Sequence, residues 1–127
     1  MIQSIGQVML YVEDIEAAAQ FWSQQMGFEW VEKQVQGEQI SYIVAPQLSS
    51  QVQFVLHNKA QVAAQNPGMN LATPSILMLA EDLEQTREEL LARGVVVSPV
   101  ADLGFMRVVN FPDQEGNYFA IREGGSK

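Results

Sequence analysis

The sequence predicts an α+β fold made of two βαβββ modules, whose sheets form a curved mixed-sheet cup. Three observations support this prediction. The segment QVMLYVEDIE at residues 7–16 returns in closely similar form as SILMLAEDLE at residues 75–84. Each copy is followed by a segment in which apolar residues have helical spacing, and three strand-like segments follow that helix. A sheet with one helix covers only one of its faces, so two modules are expected to curl their other faces into a shared concave surface.

In the first module, residues 8–12 form a short apolar run that predicts a strand, and Asp14 is suited to cap the helix that follows. The helix is predicted over residues 15–26 and ends at Gly27. Trp22 lies on its apolar stripe, which favours packing in the core. The stripe also contains Ile15, Ala18, Ala19 and Met26. Three strands are then predicted, at residues 28–35, 39–45 and 51–57.

The second module repeats this order. Residues 76–80 predict a strand, and Asp82 is the expected helix cap, with Gln85 at the capping-box position. The helix has an apolar stripe and ends at Gly94; the stripe contains Leu83, Leu90 and Leu91. Strands are predicted at residues 95–100, 106–111 and 117–122, separated by turn signals.

The 127 residues are the length of a single domain. We predict one domain over residues 1–127, with repeats at about 1–58 and 74–123 and a connector at 59–73. The connector contains the turn-rich run NPGMN, and its residues 61–65 are compatible with a helical turn.

Composition excludes several classes of function. The formal net charge is −8 and the basic residues are scattered, so neither nucleic acid nor an anionic membrane is an expected partner. There is no cysteine, which excludes disulfides, thiol nucleophiles and zinc–thiolate sites. No leader-like start and no apolar run of about 18 residues is present. A cytoplasmic protein is therefore the expectation.

Strand alternation identifies the side chains that would line the cup, because successive residues point to opposite faces. The predicted lining is mostly apolar with a few hydrogen-bonding groups, which is typical of a small-molecule pocket. Arg107 is a further candidate, either as a clamp for an anionic group or as the partner of a surface acid. The predicted ligand-binding residues are Gln7, Met9, Tyr11, Gln53, Val55, His57, Ser75, Leu77, Arg107, Tyr118 and Arg122.

The opening QVMLYVEDIEAAAQFWSQQMGF and the closing NFPDQEGNYFAI, in a duplicated βαβββ order, resemble the vicinal oxygen chelate superfamily. This superfamily contains glyoxalase I, bleomycin-resistance proteins and extradiol dioxygenases, and the resemblance spans almost the whole chain. It implies a homodimer and, in metal-dependent members, an ion held by four positions. These positions correspond here to Gln7, Gln53, Ser75 and Ala120. Divalent ions favour imidazole and carboxylate ligands, so we expect neither a metal centre nor another cofactor.

Two functions remain open, together with the simpler use of the concave face for dimerisation alone. The first is a protein that sequesters a small organic ligand in a largely apolar cup without the standard metal centre. The second is a lyase-like, isomerase-like or dioxygenase-like enzyme that acts on a small carbonyl or aromatic compound. His57 is its one candidate catalytic residue, although a lone histidine near a strand end is also typical of a partly exposed polar position. The sequence does not decide whether the protein is an enzyme.

Overall fold

The computed structural model describes residues 1–124, and the chain divides into two compact units, residues 1–73 and residues from Pro74 onward. The predicted domain also includes residues 125–127, which lie outside the described residues. Each unit contains a four-stranded mixed sheet and follows the βαβββ order. The predicted α+β fold is confirmed.

The first unit forms its sheet in the order β1-β4-β3-β2, with β1 parallel to β4 and the other neighbours antiparallel. A helical segment follows β1, and a further helix closes the unit. The elements are β1 Gln7–Val12, α1 Ile15–Gln20, a π-helical segment Phe21–Gln25, β2 Glu29–Gln36, β3 Gln39–Ala45, β4 Gln53–Asn58 and α2 Lys59–Gln65.

The first helix begins as predicted but changes its pitch. The Asp14 carboxylate accepts a hydrogen bond of 3.1 Å from the Ala17 amide, which confirms the cap. After Gln20 the helix widens into the π-helical segment, where the Ser23 hydroxyl donates to the Ala19 carbonyl at 2.7 Å. A hydroxyl that bonds back to a helix carbonyl distorts the local ladder, which an apolar-periodicity pattern does not register.

The second unit repeats the topology, with the order β5-β8-β7-β6 and β5 parallel to β8. The Asp82 carboxylate accepts from the Gln85 amide at 3.0 Å, so this cap is also confirmed. The elements are β5 Leu77–Ala80, α3 Leu83–Ala92, β6 Ala101–Asp102, β7 Arg107–Pro112 and β8 Tyr118–Glu123.

The prediction of a strand at residues 95–100 is wrong, because these residues form no strand and only the two-residue β6 follows them. Ser98 is hydrogen-bonded to one residue of β7, Asn110. The Ser98 amide donates to the Asn110 carbonyl, and the Ser98 hydroxyl accepts from the Asn110 amide, each at 2.9 Å. Pro99 has no N–H with which to extend the ladder. Val95 and Val97 are buried all the same, so their apolar alternation reflects burial without strand pairing.

The predicted connector contains an element of its own. The α2 helix begins directly after β4, and the Asn58 side chain caps it by accepting from the Gln61 amide at 2.9 Å. Val62 and Leu71 are buried, so this segment adds apolar contacts to the first unit.

Each unit has aromatic residues in its core. Trp22 is fully buried, as predicted, with its ring 5.1 to 5.3 Å from those of Phe21, Phe28 and Phe54. In the second unit, Phe111 stacks on Phe119 at 5.7 Å. No helix within residues 1–124 combines the length and the apolar character needed to cross a membrane.

Candidate functional site

One face of the first sheet collects most of the predicted ligand-binding residues. Trp22 packs on Phe54, which places the helical segment on the Phe54 side of β4. By alternation, the opposite side carries side chains in matched pairs across β1 and β4. These pairs are Gln7 with Gln53, Met9 with Val55, and Tyr11 with His57, and we call the six residues the Gln7 face. Val55 is only 2% exposed, so its side chain is packed beneath its neighbours and does not offer an open contact surface.

His57 is the most connected polar group of the Gln7 face. Its Nδ1 lies 2.9 Å from the Ser41 hydroxyl oxygen and its Nε2 lies 3.1 Å from the Met9 sulfur. The ring also stacks against Tyr11, with 5.7 Å between centroids and 23° between planes. A thioether has no hydrogen to donate, so this contact assigns the proton to Nε2. In the neutral ring, Nδ1 then accepts, and the Ser41 hydroxyl donates to it.

The environment of His57 favours the neutral ring. Partial burial lowers the pKa of His57 below its ordinary value of 6.5, because removal from water disfavours the charged form. The imidazole is therefore uncharged near pH 7. It presents a hydrogen-bonding, aromatic surface and brings no positive charge to the site.

Two amide side chains lie at the other end of the Gln7 face. The Gln7 Nε2 donates to the Gln53 Oε1 at 3.2 Å, and both residues are accessible to solvent. This bond leaves the Gln7 carbonyl oxygen as an acceptor and the Gln53 amide nitrogen as a donor for a bound molecule. The pair is thus able to recognise one donor and one acceptor at once.

The four positions that correspond to the metal ligands of metal-dependent relatives do not suit a divalent ion in this chain. Gln7 and Gln53 offer neutral amides that bond to each other, and the second unit offers a hydroxyl at Ser75 and no donor at all at Ala120. Across residues 1–124, no cluster of three or more His, Asp or Glu side chains is suitably placed to hold an ion. The chemistry of the donors is wrong for the imidazole and carboxylate ligands that such ions favour.

A cavity lies beside His57, and its other lining residues are not among the predicted ligand-binding residues. Strand register places Gln34, Ser41, His57 and Tyr11 in one row across β2, β3, β4 and β1. The cavity has a volume of about 370 Å³ and is lined by Gln34, Val35, Gln36, Gln39, Ser41 and His57. Alternation along β3 puts Gln39 and Ser41 on one side, but only the register of the strands brings them next to His57.

The second unit has its own counterpart, which we call the Leu77 face. It carries Leu77, Leu79, Tyr118, Ala120 and Arg122, with Leu77 beside Ala120 and Leu79 beside Arg122. Leu79 is 71% exposed and Tyr118 is 67% exposed. Ser75 precedes β5 and is also exposed.

Within the second unit, Arg107 does not share the Leu77 face with the other predicted site residues. Arg122 pairs with Val108, so alternation places Arg107 on the opposite side of the second sheet. There its guanidinium donates to Glu123 at 2.8 Å and to Glu84 on α3. These two carboxylates raise the pKa of Arg107 above its usual value. The side chain thus joins the helix to the sheet.

A sequence model of the Glyoxalase/Bleomycin resistance protein/Dioxygenase superfamily matches residues 4–121. The chain belongs to this superfamily. The resemblance drawn from the opening and closing segments is confirmed, and the superfamily fold accounts for the paired βαβββ modules.

Individual relatives are similar to this chain over nearly its whole length. The protein YetH of Bacillus subtilis (strain 168) is 29% identical over 124 residues, which cover 97% of this chain and all of YetH. The crystal structure of UcmS2 has a TM-score of 0.81 at 22% identity and covers 98% of this chain and all of its own. TnmS3, an antibiotic binding protein from Streptomyces sp. CB03234, has a TM-score of 0.80 at 23% identity, covering 94% of each chain. At these identities, the two structures show a shared fold.

Proposed function

We propose that this protein binds a small organic molecule on the Gln7 face and holds it without chemical conversion and without a metal ion. The observation that carries the proposal is the composition of the face itself. An amide pair with a free donor and a free acceptor lies at one end, and a stacked Tyr11–His57 pair lies at the other. Aromatic surface with a few placed polar groups is the usual composition of a ligand site.

The comparisons support a binding function at the level of the superfamily. The superfamily includes bleomycin-resistance proteins, and TnmS3 is described as an antibiotic binding protein. The amides at the positions where metal-dependent members hold an ion support a metal-free mode of binding. Specificity would then come from stacking and hydrogen bonds.

The contacts of His57 favour retention of the ligand over its conversion. Both ring nitrogens are engaged, one by the Ser41 hydroxyl and one by the Met9 sulfur. A general base needs a free nitrogen within hydrogen-bond reach of the proton that it removes. In this arrangement, His57 serves as an aromatic and polar wall of the site.

One observation favours the alternative, an enzyme of the lyase, isomerase or dioxygenase type. His57 is kept neutral by burial and is therefore a competent base near pH 7. Loss of the weak contact with the Met9 sulfur would free Nε2 after a change of tautomer. Such an enzyme would move a proton next to a carbonyl or aromatic group of the substrate.

A thermal-shift screen over aromatic, cationic and thiol-adduct compounds, followed by calorimetry, tests the proposal. For a confirmed ligand, Gln53→Ala is expected to weaken binding about tenfold, through loss of hydrogen bonds to the ligand. The control is Gln51→Ala, which removes the same side chain from an exposed position outside the Gln7 face. Equal affinities of the two variants would contradict a site on the Gln7 face.

Each ligand from the screen is also incubated with the protein and followed by mass spectrometry. Unchanged ligand, with binding retained in His57→Ala, is the result expected for sequestration. Product formation by the parent protein that is lost in His57→Ala would instead establish the enzymatic alternative.

We further propose a homodimer, while the cytoplasmic location stays a prediction from sequence. The exposed Leu77, Leu79 and Tyr118 form an apolar surface of the kind that a second copy covers. Light scattering is expected to give the mass of two chains and to give a smaller mass for Leu79→Glu. Leu48→Glu is the control, because Leu48 is similarly exposed but lies outside the Leu77 face. A monomeric parent protein would contradict the proposal.

A further inference from the structure

The cavity beside His57 is lined almost wholly by uncharged polar groups. Gln34, Gln36 and Gln39 contribute three carboxamides, and Ser41 and His57 contribute a hydroxyl and an imidazole. Val35 completes the wall. Among residues 1–124, no Asp, Glu, Lys or Arg lines this cavity, although the chain as a whole carries a net charge of −8.

The buried end of the cavity has a defined hydrogen-bonding character. Ser41 is only 7% exposed, and with the His57 proton on Nε2 its hydroxyl donates to His57 Nδ1. The lone pairs of the Ser41 oxygen therefore accept from any group that enters the cavity. The glutamine side chains, each with a carbonyl and an NH₂ group, supply both acceptors and donors around this fixed acceptor.

We propose that this cavity is a subsite for a neutral carboxamide group of the bound molecule. A carboxamide presents one N–H to the Ser41 oxygen, its second N–H to a glutamine carbonyl and its own carbonyl to a glutamine NH₂, so both donors and the acceptor find partners. The inference rests on the proposed function, because His57 belongs to both the Gln7 face and the cavity. It defines the ligand class as an uncharged, amide-bearing organic molecule.

Charged ligands are disfavoured by the same lining. A cation would leave water without gaining a carboxylate partner, and an anion would do so without gaining a guanidinium or ammonium partner. A desolvated charge with no partner costs more free energy than a neutral group that keeps its hydrogen bonds.

Three probes of the same shape and different charge test the inference: benzamide, benzamidine and benzoate. Each is titrated into the full-length protein, and the side-chain NH₂ signals of the glutamines are followed by NMR. Saturable shifts at Gln34 and Gln39 are expected with benzamide, at a dissociation constant at least about tenfold lower than for either charged probe. Tighter binding of benzamidine or benzoate at these signals would overturn the inference.

A charge introduced into the lining provides a second test. Gln34 is exposed on the edge strand β2, so Gln34→Glu changes the charge of the cavity with little effect on packing. This variant is expected to bind benzamidine about tenfold more tightly than the parent protein and to lose its preference for benzamide. Gln65→Glu adds the same charge at an exposed position outside the cavity and is expected to leave the order of the probes unchanged. Gln36→Glu replaces Gln34→Glu if the latter does not fold.

Failure of the subsite and failure of the proposed function give different results. Absence of benzamide shifts at the cavity, with a screened ligand still bound on the Gln7 face, would overturn the subsite and leave the proposed function in place. Absence of binding by every probe and every screened compound would overturn both. An unchanged order of the probes in both cavity variants would also overturn the subsite.

Discussion

At the scale of single residues, the chemistry of this protein is concentrated in His57 and its neighbours. One imidazole contacts a hydroxyl on β3, a thioether on β1 and an aromatic ring on β1. The sequence identified His57, Tyr11 and Met9 by alternation, but Ser41 was missed. A serine in the middle of the apolar run QISYIVA carries no local signal of its role. Its importance comes from its position opposite His57 across the sheet.

The neutral state of His57 predicts a specific dependence of stability on pH. Because burial lowers the folded-state pKa below 6.5, the unfolded chain binds the proton more readily. The free energy of unfolding is expected to fall as the pH decreases through 6.5 towards the folded-state pKa. Above 6.5 this contribution vanishes, since both states are then neutral at this residue.

Urea unfolding at several pH values between 5 and 8, for the parent protein and for His57→Gln, measures this effect. The parent protein should lose more stability than the variant on acidification, while the carboxylates contribute equally to both. An imidazole NMR titration gives the folded-state pKa directly. A midpoint at or above 6.5 is incompatible with the environment described for His57.

At the scale of secondary-structure elements, the same helix-to-sheet link occurs in both modules. Glu16 in the first turn of α1 accepts a hydrogen bond from the Tyr42 hydroxyl on β3, and Glu84 in the first turn of α3 pairs with Arg107 on β7. The bond to Glu16, together with burial, raises the pKa of Tyr42. The repeat thus preserves an acidic residue in the first turn of each helix, although its partner differs.

Substitution of Arg107 separates its structural role from the ligand-binding role considered in the sequence analysis. Arg107→Met is expected to lower the free energy of unfolding, because Glu84 and Glu123 lose their shared partner. Binding to the Gln7 face should change less than twofold, since Arg107 belongs to the helix side of the second sheet. The stability of Arg107→Lys should lie between that of the parent protein and that of Arg107→Met. An ammonium keeps the positive charge but cannot reproduce the contacts of the guanidinium with both carboxylates.

Chemical denaturation and calorimetry with a screened ligand measure the two properties in parallel. Loss of binding in Arg107→Met with stability unchanged would show that the arginine contacts the ligand after all. The matched variant Glu84→Gln removes one of the two carboxylates. It should also lower the free energy of unfolding and leave ligand binding unchanged.

At the scale of the whole molecule, this chain combines a superfamily fold with side chains that are poor metal ligands at the four positions that the resemblance to metal-dependent members implies. Amides, a hydroxyl and a methyl group occupy Gln7, Gln53, Ser75 and Ala120. Since binding to the folded state stabilises it by mass action, an ion held by the protein would contribute measurably to the melting temperature.

Purification without chelators, followed by elemental analysis, is expected to give less than about 0.1 equivalent of zinc, nickel, iron or manganese, because the donor set is wrong for these ions. Addition of EDTA should shift the melting temperature by less than about 1 °C, as no ion-dependent stabilisation is lost. A stoichiometric metal content together with a large drop in melting temperature would refute the metal-free site. Overnight incubation with excess zinc before dialysis controls for loss of metal during purification.

By itself, the sequence determined the duplicated βαβββ order, the helix caps at Asp14 and Asp82, the core position of Trp22 and the facing of most strand residues. All of these follow from local rules, namely capping chemistry and periodicity, which act over a few neighbouring residues. Only the tertiary structure decided that Gln34, Ser41, His57 and Tyr11 form one row, that Arg107 faces α3, and that residues 95–100 stay out of the sheet. These features depend on which strands pair and in which register, and a shift of one residue would move every side chain to the other face.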